Sequence, residues 1–158
     1  MTADEETYVH YAECIYSLNR AWSILCDLRA IERKTSIHAA AFRFALIEYT
    51  KPYTRSDGAF RSGRNPYKLP PPNIAADLLT LHSQILGLRD TFLAHTDLTI
   101  KEATVCVALI RGHKHVTVGS NTDPALPAIE DVITLIERTL DLMYVEFERL
   151  KKNLQPTA

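Results

Sequence analysis

The chain has 158 residues, 46% of them hydrophobic and 23% charged, and a formal net charge of −1. That length is one domain's worth, enough to bury a core without disulfides or metal. The near-neutral balance excludes a molecule that attracts polyanions as a whole, so any such attraction must come from local clustering. Cys14, Cys26 and Cys106 are odd in number and contain no CxxC pair, which argues against a disulfide framework or zinc knuckle and fits a reducing compartment. The acidic start, Met1 to Glu6, is unlike a signal peptide, and no apolar run approaches the roughly 20 residues that cross a bilayer. The expectation is a cytoplasmic protein with no membrane partner.

Helix dominates the apolar patterning. Tyr8, Tyr11, Ile15, Leu18, Trp22 and Leu25 recur in steps of three and four and lay one stripe down a first helix. Residues 35–53 carry Ile37, Ala41 and Phe44 on one face and Phe42, Leu46 and Tyr49 on another, the pattern of a helix buried on two sides. A third helix follows Pro70-Pro71-Pro72, with Asn73 as its N-cap and Ile74, Leu78, Leu81, Ile85, Leu88 and Phe92 as its stripe. The last helix opens at Asp123-Pro124 or at Pro127 and carries Ile129, Ile133, Ile136, Leu140, Met143, Phe147, Leu150 and Leu154. Glu130 and Asp131 near its start and Lys151-Lys152 near its end suit the helix dipole. Four such helices predict a mainly α fold, an antiparallel four-helix bundle, as one domain over residues 1–158.

Between the third and last helices the texture changes. Residues 103–110 are rich in β-branched types, Arg111 to Lys114 is a turn candidate, and His115 to Val118 alternate with period two. A small β-hairpin packed on the bundle is the better reading, with a short buried helix as the competitor.

The segment 54–72 is too long to be idle in a compact domain. It belongs to a basic stretch in which Lys51, Arg55, Arg61, Arg64 and Lys68 stand against one acid, Asp57, a local +4. Tyr53, Phe60 and Tyr67 are interleaved with these cations, and Gly58 and Gly63 would keep the segment pliable. Cations for phosphates alternating with rings for bases are what single-stranded RNA binding uses, which makes Lys51, Tyr53, Arg55, Arg61, Arg64 and Lys68 candidate RNA contacts. A solvated loop pinned by its rings is the bland alternative. His113 and His115 lack a third ligand at metal spacing, and His10, His38 and His82 fit satisfied polar positions in helices. No metal and no cofactor are expected.

The third helix closes on Arg89-Asp90-Thr91-Phe92-Leu93-Ala94-His95. Arg89 offers a planar donor fork for a phosphate, His95 a proton carrier near neutral pH, and Asp90 a group to orient either one. An arginine and a histidine near a helix C-terminus also suit the dipole without any function. On a helix six residues turn through about 600°, leaving Arg89 and His95 roughly 120° apart. They share a site only if the helix ends by His95, as Thr96-Asp97 would allow, or if two copies meet across a two-fold axis.

Arg, a polar residue directly after it and a His a few positions on resemble the motif of the HEPN superfamily, and the phrase Leu88 to Asp97 is similar to the equivalent segment of abortive-infection-type HEPN proteins. The resemblance implies a helical HEPN-like domain and a metal-independent endoribonuclease in a defence or toxin–antitoxin setting. Arg89 and His95 would be catalytic and Asp90 supporting, at a homodimer cleft, with RNA as substrate and an antitoxin protein as a further partner. Its alternative is a non-catalytic HEPN module that binds RNA, a nucleotide or a partner protein.

Overall fold

A computed structural model describes residues 1–31, 35–69, 76–93, 104–119 and 125–154. Over these residues the chain is mainly helical, with four helices and one two-stranded antiparallel sheet. Helix α1 spans Ala3–Arg29 and α2 Ser36–Thr50, followed by a 3-10 turn, Lys51–Tyr53. Helix α3, Ala76–Leu88, runs into a π-helical turn, Arg89–Leu93. Strands β1, Thr104–Ile110, and β2, His113–Gly119, precede helix α4, Ile129–Lys151.

The termini follow from local chemistry. Thr2 and Glu5 form a capping box on α1, whose first turn also holds Asp4 and Glu6. Thr35 caps α2 by accepting from the His38 N–H at 3.3 Å, and Pro52, which has no N–H, enters the 3-10 turn after it. Of the two openings considered for the last helix, the start at Ile129 is the one near Pro127; Asp123-Pro124 lies outside the described residues, as do Pro70 to Asn73. Glu130 and Asp131 occupy the first turn of α4, with Arg149 and Lys151 in the last.

Polar pairs show that α1 and α4 run antiparallel: Asn19 bonds Tyr144, Trp22 Nε1 donates to Glu137 at 2.9 Å, and Arg29 meets Glu130. Tyr8 stacks on Phe147 at 4.5 Å between ring centroids. One apolar cluster joins all four helices, with Leu18, Leu25, Leu46, Ile85 and Ile136 fully buried. Trp22 departs from the expected stripe. Its indole sits at the rim, where the N–H finds Glu137, and Ala21 fills the interior instead.

Two expectations are corrected. α2 is buried on one face only: Phe42, Leu46 and Tyr49 are interior, whereas Ile37 is 78% exposed and Phe44 is also exposed. The hairpin forms, with Val107 opposite Val116, but it does not pack on the helices, and every residue of both strands is exposed. Its turn is shorter than the sequence suggested. Arg111 (φ 52°) and Gly112 (φ 82°) suffice, both left-handed as a two-residue hairpin turn requires.

Candidate functional site

The end of α3 is built around a change of helical pitch. Thr91 Oγ1 donates to the Gly87 carbonyl at 2.7 Å, occupying the acceptor that its own N–H would use in an α-helix. The ladder widens into the π turn at that point, a feature often found at functional sites. The turn lies against α2, with Leu88 buried and Leu93 packed on the core. Arg89 is a third exposed, and its Nη1 donates to Asp90 Oδ1 at 2.6 Å. Adjacent residues on a helix do not face each other, so this bond folds the guanidinium back along the surface; among the described residues Asp90 is the ion-pair partner of Arg89. The structure therefore brings Arg89 and Asp90 together; His95, with Thr96 and Asp97, lies outside the described residues.

The basic segment is ordered around a single acid. Glu6 of α1 is only 6% exposed. Its carboxylate accepts from the N–H groups of Ala59 and Phe60, at 2.7 and 3.0 Å, and from the Tyr67 hydroxyl at 2.8 Å. Burial pushes this carboxyl's pKa up, but the hydrogen bonds outweigh it and hold the pKa below the ordinary value. Ser56 and Tyr67 close the loop with a pair of backbone hydrogen bonds, and Leu69 N–H reaches Pro52 O. Gly58 is there for space rather than pliability: a Cβ would lie 2.5 Å from the Glu6 carboxylate and 2.9 Å from the Tyr67 ring. Gly63 takes a left-handed φ of 61°.

This folding sorts the candidate RNA contacts. Tyr53 is 4% exposed and packs against Tyr49 and His82, so its ring is part of the core and is not presented to a base. Tyr67 is likewise interior, stacked on His10 at 4.7 Å and covered by the Arg61 guanidinium at 4.7 Å. Phe60, 54% exposed, is the ring of the three that faces outward. Arg64 and Lys68 are exposed, and Arg55 forks onto Asp57.

Lys51 and Arg55 line an open cleft of about 330 Å³ together with α1 residues that include His10, Ser17, Arg20 and one acid, Glu13. Glu48, fully buried beneath, holds Arg20 Nη1 at 3.6 Å and also bonds Lys51 Nζ. The Arg20 guanidinium lies 4.7 Å over the Tyr16 ring. Two cations, each about half exposed, share one interior carboxylate at the rim of the cleft, an arrangement that suits a phosphate. Arg20 could have been found from sequence only by knowing that α1 and α2 lie side by side.

α3 runs back along α2, since His82 meets Tyr49 near the α2 C-terminus and the π turn still lies against α2. Arg89, seven residues beyond His82, is about 10 Å further along the axis, away from the 3-10 turn. No contact among the described residues joins Arg89 to the loop cations. His113 and His115 are exposed on one strand, and no cluster of three or more metal-binding side chains occurs among the described residues. No described helix is long and apolar enough to cross a membrane. The chain matches no protein-family model, no curated protein and no solved structure.

Proposed function

We propose that the chain is a HEPN-type, metal-independent endoribonuclease: an antiparallel four-helix bundle, cytoplasmic and homodimeric, acting in a defence or toxin–antitoxin setting. The observation that carries it is the exposed Arg89–Asp90 pair on a π-helical turn at the end of α3, with His95 five residues after Asp90. In such an enzyme the RNA 2′-hydroxyl attacks its own phosphate. One His95 takes the hydroxyl proton, the partner copy's equivalent histidine protonates the departing 5′-oxygen, and Arg89 neutralises the non-bridging oxygens. The products are a 2′,3′-cyclic phosphate and a 5′-hydroxyl. The cleft cations Lys51, Arg55 and Arg20, with Arg61, Arg64 and Lys68 nearby in sequence, hold the flanking strand, and Phe60 offers it a stacking surface.

One observation favours a second reading. The loop is ordered by Glu6, and Lys51 is held by Glu48, without help from Arg89, so a non-catalytic HEPN module that binds RNA would keep this whole surface. Incubating purified protein with pooled transfer and messenger RNA in EDTA separates the two. Cleavage in chelator, lost in both Arg89→Ala and His95→Ala, is the expected result. Intact RNA that is nevertheless bound would select the binding module, and equal cleavage by wild type and His95→Ala would expose a contaminant and defeat the assignment.

A further inference from the structure

The hairpin is the one folded part of the described chain with nothing behind it. Its register places Val105, Val107 and Leu109 of β1 and Lys114, Val116 and Val118 of β2 on one face. The five apolar members are 55–77% exposed. Isolated two-stranded hairpins are marginal in water, and a contiguous apolar face on a monomer marks an interaction surface. Both strands are also free edges.

Charge says what covers it. Residues 104–119 contain Arg111 and Lys114 and no acid, +2, and residues 51–68 carry +4. With a total of −1, the rest of the chain is left at −7. The complement of a basic, valine-faced arm is therefore a surface of this protein's own acidic helices. α4 offers one, with Leu142 and Val145 exposed beside Asp141 and Glu148, although Glu148 also meets Lys151, and Arg138 and Arg149 share this face. Lys114 stands on the apolar face itself, and Arg111 at the tip, placed to meet such acids.

We propose that the hairpin is a dimerisation arm, its valine face seated on the helices of a second copy, which returns its own arm. Reciprocity follows from size. Seven residues span about 24 Å and two strands about 10 Å, roughly 240 Å² in plan. One such contact, counted on both surfaces, falls short of the roughly 1,000 Å² expected of a stable interface, and two related by a two-fold axis approach it. The arm shares only the homodimer with the ribonuclease reading, and its test uses no RNA.

The test is light scattering with hydrogen exchange on the full chain at tens of micromolar, beside a Val107→Glu, Val116→Lys variant. These two positions are direct cross-strand partners, so opposite charges preserve the hairpin while placing ions at the centre of its face. Helical circular dichroism confirms folding, which the substitutions leave intact because both residues are exposed and the arm packs on no described helix. The expected result is twice the 17.8 kDa chain mass for wild type and the single mass for the variant, with hairpin amides protected only in the wild type and less so on dilution. A wild-type monomer with freely exchanging hairpin amides would overturn the proposal. So would a dimer whose mass and hairpin protection are the same in the variant.

Discussion

His82 is a buried imidazole whose Nδ1 lies 2.7 Å from the Tyr49 hydroxyl. Burial holds its pKa below the ordinary value, and His10 is lowered in the same way by burial and by the nearby positive charge of Arg61. A histidine depressed in the fold binds fewer protons folded than unfolded. Its contribution is therefore fully present above the ordinary value, near pH 6.5, and is lost as the pH falls through the folded pKa. Melting temperatures at about pH 7.5 and about pH 5 should show a smaller acid loss in His82→Gln than in wild type. An equal loss would move the acid sensitivity elsewhere. The sequence marked His82 as a satisfied polar residue, because it falls among apolar positions of a helix. It did not reveal that Tyr53 and Tyr67 face inward. Rings interleaved with cations look alike whether they stack on a base or on their own core; the packing decides, through Tyr49 and His82 for Tyr53 and through the Glu6 carboxylate, 61 residues away, for Tyr67.

Helices were legible because burial on one face repeats with the helical period, and the observed interior residues of α3 and α4 largely follow it. The second apolar face of α2 was misread since periodicity reports apolar character, not what lies opposite. The hairpin was legible from β-branching and a turn, but its detachment was not, as no local signal encodes a missing contact. The loop's order depends on one side chain in another element. Glu6→Gln keeps the shape but exchanges a charged acceptor for a weaker one and adds a donor facing two backbone N–H groups. Limited proteolysis between residues 56 and 67 should accelerate severalfold in that variant while helical ellipticity is unchanged; unchanged cleavage would mean the loop is held by other contacts.

At the scale of the molecule, one core ties together elements from both ends of the chain. Ile136, fully buried among residues of all four helices, should cost about 2–5 kcal/mol when cut to alanine, and the helices should melt in one transition. Separate transitions in calorimetry would show the cluster to be divisible. Charge segregation was readable from counting alone, whereas the pairing of α1 with α4 was not, since an amphipathic stripe does not name its partner. That pairing has a consequence in time. The bonds joining the two helices span 101 to 125 residues, so a chain leaving the ribosome carries the α1 stripe with no α4 to receive it until that much more chain has been made. α2, next in the chain, can cover one side of α1 early, but the side that receives α4 stays open to whatever waits at the exit tunnel until the last described helix emerges.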